Sequence, residues 1–433
     1  MELLEAILSP PRADHVLVGK YIIIALSLFF VPYISILFGS SLFAVGFSFR
    51  GKTEANPLFD RLGADIAETF LGKIGVSLVL GVVPIITMAF CYAQWLYGTG
   101  VKVSQYFLII LVLFVLGLIT MNLFRKSFAK RDSAFLPHLG LGLTAHGLFA
   151  LTIYVYVSVV STINWPEKWP LIDTPVPWTE NWNQFAHFAH LTTLAVAMTG
   201  VAIFFFFLNW NGGKEGMDEE YRSYVRKFAG GVGLGFGLMQ AVPMLWHVAT
   251  LPVMVKSWPL YGMAILSVGV MLLACLWLFT ILYDRKVSLG TPVFVAFMAF
   301  FLVLLINQNI ARDEALLYQN YALQKINDDM MLQIETERVE RGGAAEASLE
   351  LGETIYNQKC IACHRFDQRI VGPPYNSVLP KYEGDVEKLS GFILNPVKVD
   401  PDYIQMPNQG LKPHEAESVA QYLLQEWQAN QGQ

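Results

Sequence analysis

Cys360-Ile361-Ala362-Cys363-His364 is the one stretch of the chain whose residue types and spacing specify a chemistry by themselves. Two thiols three residues apart can form thioether bonds to the vinyl groups of one haem, and the adjacent histidine then faces the iron as proximal ligand. A zinc site would need a second ligand pair, and none follows. A second set of iron-binding side chains lies in apolar surroundings: Phe185-Ala186-His187-Phe188-Ala189-His190, and His247. Polar groups at membrane depth are costly and tend to mark function, although any one of these histidines alone serves equally well as a hydrogen-bonded structural residue. Three of them in one layer favour one or more non-covalent b-type haems.

The surroundings of the first motif resemble a small class I cytochrome c over about residues 345–430. A helix is expected at 351–359, leading into the motif, and a closing helix at 413–428. Val371-Gly372-Pro373 matches the family's loop, in which the carbonyl of Pro373 accepts the second ring N–H of His364 and makes the imidazole a stronger donor. Met406, forty-two residues past His364 in Gln405-Met406-Pro407-Asn408, is the sixth ligand this resemblance implies, the bland alternative being a buried core methionine. A thioether opposite a histidine raises the potential and completes the coordination sphere, which suits electron transfer. His414 is read as exposed beside acidic residues.

The elements that must hold the histidines belong to a different kind of protein. Hydrophobic residues make up 54% of the chain and charged ones 15%, with mean hydropathy +0.44, so the expectation is an all-α, polytopic membrane bundle. Eight spans are read near 16–47, 72–98, 103–123, 138–163, 184–209, 228–254, 259–283 and 289–310, each able to cross about 30 Å of hydrocarbon. The first is too long for a removable signal peptide and lacks its basic start and cleavage site. The bundle (1–310) is then followed by a helical stalk or linker (311–344) and the cytochrome c domain (345–433).

Lysine and arginine near span ends stay preferentially on the cytoplasmic side. Loops one, three, five and seven carry Arg50, Lys52, Arg61, Lys73, Arg125, Lys126, Lys130, Arg131, Lys214, Arg222, Arg226, Lys227, Arg285 and Lys286. The alternate loops carry Lys102, Lys168 and Lys256. This bias predicts a bacterial inner membrane protein with both termini and the haem domain in the periplasm, where haem is attached to bacterial cytochromes c. Trp165, Trp169, Trp178 and Trp182 suit an interfacial belt on that side. On this reading His187, His190 and His247 lie in the outer part of the bilayer, and His138 and His146 toward the cytoplasm. Gly230, Gly231, Gly233, Gly235 and Gly237 in span six would admit a neighbouring helix or a flat macrocycle.

In the linker, Leu316, Leu323, Ile326, Met330 and Ile334 recur near helical spacing until Gly342-Gly343 breaks the pattern. One helix over 312–341 would extend roughly 45 Å, as a stalk, an arm on a partner subunit or a solvated linker. The haem domain carries seven Lys and Arg against twelve Asp and Glu, a balance that weakly favours a basic docking partner. Cys91 and Cys275 sit in apolar helices and are read as core residues.

The membrane part resembles subunit I of the cytochrome bd quinol oxidases over about spans one to seven. The matching pieces are Leu28-Phe29-Phe30-Val31-Pro32, Asn56-Pro57, Gly72-Lys73-Ile74-Gly75 through Gly81-Val82, Met88 and Phe188-Ala189-His190. The resemblance implies a low-spin haem b between His190 and Met263, with His187 or His247 as substitutes. Ser27 falls where the family has a span-one histidine and Ala89 where it has a glutamate, both belonging to its oxygen-reducing haem pair. The family's long quinol loop after span six is also missing, so neither oxygen reduction nor a conventional quinol site is supported.

The sequence therefore predicts membrane-bound respiratory electron transfer. Menaquinol, ubiquinol or a quinol-linked partner would be the donor and a periplasmic redox protein the acceptor, with haem b and a covalent haem c as cofactors. Other respiratory-complex subunits and membrane lipid are the expected partners. A non-catalytic anchor subunit with haem c only, a divergent terminal oxidase and a sensor are the alternatives. The negative net charge of −5 and absence of a basic aromatic surface argue against nucleic acid.

Overall fold

The structure, a computed structural model, describes residues 11–71, 74–172, 181–340 and 346–431. Gly72, Lys73, Trp178 and the Gly342-Gly343 break lie outside the described residues. Every assigned element among the described residues is helical. Eight helices are long and apolar enough to cross a membrane: Asp14–Glu54, Gly75–Trp95, Val103–Lys130, Phe135–Ile163, Trp182–Leu208, Glu219–Ala249, Trp258–Tyr283 and Val287–Ala315. The chain divides into two compact units, residues 1–327 and 328–433.

In the first unit, the opening helix Ala13–Glu54 has 42 residues, roughly 63 Å of helix against about 30 Å of hydrocarbon. It stops where Ala55 enters the left-handed region (φ 51°, ψ 36°). Asn56-Pro57 then starts a 15-residue helix, Pro57–Leu71, that the sequence reading left as loop. Asn56 Oδ1 accepts from the Leu58 amide at 3.0 Å, and proline at the first helical position has no amide hydrogen to leave unpaired. Phe59, Leu62, Ile66 and Ala67 bury one face of this helix. Asp60 pairs with Arg131, Arg61 with Asp218 (2.9 Å) and Asp65 with Lys214 (3.4 Å). Loops one, three and five, which carry most of the cations, are thus tied together at one end of the bundle.

Two spans depart from regular helix. Span two contains a widened turn at Leu78–Val82, directly before Pro84, whose ring and missing amide hydrogen disturb the preceding ladder. A Cβ on Gly81 would lie 2.3 Å from Phe114 Cζ, so only glycine lets that ring approach. Span six is two helices, Glu219–Met239 and Ala241–Ala249, interrupted at Gln240 three residues before Pro243. The glycines of its first half admit neighbouring helices: a Cβ on Gly230, Gly233 or Gly237 would lie 3.0–3.1 Å from Leu282, Val201 or Cys275. Gly231 and Gly235 face open space. Cys91 and Cys275 are both buried and unbridged.

The eighth span helix runs on to Ala315, and a second helix, Leu317–Glu340, follows at once. Leu316 and Leu323 are buried, whereas Ile334 is exposed. Gln319 Nε2 donates to the carbonyls of Trp95 (3.1 Å) and Tyr97 (2.9 Å), and Trp95 Nε1 donates to Asn320 Oδ1 (2.9 Å). The first turns of the expected stalk are therefore part of the bundle's own packing.

In the second unit, Ser348 caps the helix Leu349–Ile355, accepting from the Leu351 amide at 3.2 Å. The closing helix Pro413–Gln431 crosses it. Gly352 makes that crossing possible, because a Cβ there would lie 2.1 Å from the Ser418 carbonyl oxygen. Leu379, Leu389, Ile393, Val419, Leu423 and Trp427 fill the core around it.

Candidate functional site

Helix Leu349–Ile355 continues through the turn Tyr356–Cys360 into the CxxCH motif. The motif closes on itself, with the amides of Cys363 and His364 both 3.1 Å from the Cys360 carbonyl. The following loop folds back over it: the amides of Val371 and Gly372 donate to the Cys363 carbonyl at 3.2 and 3.0 Å. This return brings the Pro373 carbonyl 3.0 Å from His364 Nδ1, where it accepts the ring N–H and leaves Nε2 as the nitrogen for iron. Gly372 lies against the ring, since a Cβ there would be 2.1 Å from His364 Cε1. Tyr375 stacks on the other side at 5.0 Å between centroids.

Cys360 is buried and Cys363 half-buried. Burial pushes the Cys360 thiol up to about 11. Met406 is half-buried and lines an open cleft of about 420 Å³ with Asn395, Pro396, Val397 and Asn408. Asn408 Nδ2 donates to the Leu394 carbonyl at 2.9 Å and Gln405 Nε2 to the Pro396 carbonyl at 3.2 Å, which fixes the Met406 loop on the end of helix Val386–Leu394. His414 is half-buried at the start of the closing helix. Two sulfurs and an imidazole oriented through Nδ1 are the donor set that would attach a covalent haem; the cleft beside Met406 is lined by residues 395–397 and 405–408 and by none of Cys360, Cys363 and His364. Gly352 and Tyr375 are the supporting residues that sequence reasoning did not single out; Gly352 carried a sequence signal, as a small residue in the helix leading into the motif.

In the bundle, His187, His190 and His247 come together, all lining one narrow cavity with Val160, Asn164, Met244 and Gln308. The cavity is narrow, with a volume of about 30 Å³. His190 and His247 are nearly parallel (18°) with centroids 5.9 Å apart. Two imidazoles on one metal require roughly 6 Å, from two metal–nitrogen bonds of about 2.0–2.1 Å and the depth of each ring. His187 and His247 stack at 4.4 Å, too close for that.

Two of the rings are held from outside the cavity, and His187 by Gln308 in its wall. Gln240 Nε2 donates to His190 Nδ1 at 2.9 Å and to the His190 carbonyl at 3.0 Å, and Asn183 Nδ2 donates to His247 Nδ1 at 3.1 Å and to the His247 carbonyl at 3.0 Å, so both Nδ1 atoms accept and each neutral ring carries its proton on Nε2. His187 is engaged at both nitrogens, by Ser161 Oγ (3.2 Å) and Gln308 Nε2 (3.0 Å). Among the described residues no three His, Cys, Asp or Glu side chains converge as a bare metal ion would require. His190 and His247 have the separation of two imidazoles on one metal, and they are the residues that would hold a b-type haem once Nε2 gives up its proton.

Met263 is half-buried on span seven and is not among the residues lining this cavity. The thioether that does line it is Met244, whose Sδ accepts from Ser267 Oγ of span seven at 3.8 Å. The second half of span six, redirected at Gln240, presents the side chains instead. Gln240, Asn183 and Met244 were not foreseen; the first two were detectable as amides within apolar runs. His138 is engaged at both nitrogens, by Ser127 Oγ (2.6 Å) and Ser48 Oγ (3.1 Å), which makes it a structural bridge, and His146 Nδ1 bonds Ser41 Oγ (3.1 Å). Ser27 is buried, with its hydroxyl on Met88 Sδ at 3.3 Å.

A cytochrome c family profile matches residues 349–427. Cytochrome c-551 of Pseudomonas denitrificans is 34% identical over 77 residues, 17% of this chain and 94% of that protein. Cytochrome c-551 of Azotobacter vinelandii is 32% identical over 79 residues, 17% of this chain and 96% of that protein. No solved structure matches the chain. By the heme-binding segment that these relatives cover almost end to end, the chain belongs to the cytochrome c family.

Proposed function

We propose that this chain is a membrane-anchored one-electron carrier. It draws electrons from menaquinol, ubiquinol or a quinol-linked partner and delivers them to a soluble redox protein on the periplasmic side of a bacterial inner membrane. The observation that carries this reading is the union in one chain of a haem-attachment motif, its His364 oriented by Pro373, with eight apolar spans enclosing a histidine-lined slot.

Bound at these residues, haem c and haem b each supply a one-electron iron couple in which no covalent bond is made or broken. Cys360 and Cys363 tether the first. His364 and Met406 would hold its iron and leave no site open to other ligands, which would favour electron transfer over oxygen binding. His190 and His247 would hold the second, and the apolar walls Val160, Val248, Leu251 and Leu304 would keep water from it. The periplasmic assignment rests on the loop cations, fourteen against three. Ser27 and Ala89 offer no iron ligand in place of the histidine and glutamate of the cytochrome bd quinol oxidases, and spans six and seven are joined by a short turn, so oxygen reduction and a loop-borne quinol site are not part of the proposal.

A second reading, a non-catalytic anchor subunit of a larger respiratory complex with haem c alone, is favoured by His187, both of whose nitrogens already have protein partners. Pyridine haemochrome analysis of the purified protein separates the two. Haem b and haem c in comparable amounts, with His190→Ala abolishing the b band and sparing the c band, supports the first; haem c alone supports the second.

A further inference from the structure

Arg312 is 3% exposed at the end of span eight. Its Nε and Nη1 are buried without a hydrogen-bond partner, and no ion pair involving it occurs among the described residues. Asp313 next to it does not neutralise it: that carboxylate takes Lys20 Nζ at 2.8 Å and Asn309 Nδ2 at 3.0 Å. The Tyr92 ring faces the guanidinium, with its centroid 5.4 Å from Cζ. A buried cation with unused donors is costly unless an anion completes it.

The position of Arg312 says which anion. Leu304, Asn307, Gln308 and Ala311 line the histidine slot from span eight, and Arg312, four residues beyond Gln308, continues that helical face by one turn. Gln308 itself reaches His187 Nε2 at 3.0 Å. Haem b carries two propionate carboxylates on one edge, and guanidinium is the side chain best matched to a carboxylate, through two parallel hydrogen bonds. We propose that Arg312 binds a propionate of the haem b held at His190 and His247. This inference rests on the haem b reading above and adds a residue that fixes the orientation and potential of that group.

The test uses the full-length, detergent-purified protein. The wild-type haemochrome comes first, and absence of haem b there overturns the haem b reading itself. With haem b present, Arg312→Gln should lower the midpoint potential of the b signal, because a positive charge that favours the added electron is gone. Release of haem b in detergent should rise about tenfold or more, since a buried ion pair that loses one partner is strongly destabilised. Arg312→Lys should retain haem b and shift the propionate bending bands in resonance Raman spectra, while covalent haem c reports that each variant is made and inserted. Equal behaviour of the lysine and glutamine variants, or an unchanged potential, release rate and Raman spectrum in both, overturns the proposal and leaves the haem b reading standing. Loss in Arg312→Gln of a copurifying phospholipid, with haem b unaffected, assigns the site to a lipid phosphate and likewise overturns it.

Discussion

Gln240 places its side-chain nitrogen 2.9 Å from Nδ1 of His190 and 3.0 Å from the carbonyl of the same residue, so one amide grips both ring and backbone. Asn183 does the same to His247. The two rings are thereby fixed from behind, with Nδ1 as acceptor and the neutral ring's proton on Nε2, a proton that must leave before that nitrogen can bind a metal. Gln240 sits at the junction of the two helices of span six, three residues ahead of Pro243.

Gln240→Leu should leave the His190 ring free to rotate, with a buried carbonyl and Nδ1 unpaired, at a cost of about 1–3 kcal/mol. The expected outcome is a weakened or broadened b-type band with haem c intact. A b band identical to wild type in position and width would show that the amide does not orient the ligand.

His138→Ala serves as its contrast. This histidine bridges Ser127 and Ser48 across two helices, and its removal leaves both hydroxyls short of a partner and a cavity behind. Thermal stability should fall by about 2–4 kcal/mol while both haem bands persist. Loss of a haem band on this substitution would place a cofactor where the structure shows only hydrogen bonds.

Met406→Ala should remove the thioether from haem c. The midpoint potential of the c signal is expected to fall, and carbon monoxide should bind the reduced haem, which the wild type with both axial positions filled resists. Redox titration and the carbon monoxide difference spectrum check this; an unaltered potential would mean that another side chain completes the iron.

Gly352→Val should push the first helix of the haem domain off the closing helix, because even a Cβ would lie 2.1 Å from the Ser418 carbonyl oxygen. Overpacking at a helix crossing costs about 1–3 kcal/mol. Denaturation followed at the haem c Soret band should show the loss, and equal stability of mutant and wild type would show that the helices can separate freely.

The local chemistry of this protein is written in short runs of residues. CxxCH and the Pro373 loop are legible because covalent attachment and orientation of the histidine constrain residue type at fixed spacing. The spans are legible because a bilayer demands about 20 apolar residues in a row, and helix Pro57–Leu71 could have been read from the spacing of Phe59, Leu62 and Ile66. What only the tertiary structure decided is which side chains meet. That Met244 and not Met263 lines the slot depends on the break at Gln240. That His138 is structural depends on two serines from other helices, and that Arg312 lacks an anion depends on where Asp313 turns. Such pairings arise between helices far apart in the chain, where packing and the cost of an unpaired buried group choose the partner, and no periodicity within one helix encodes that choice.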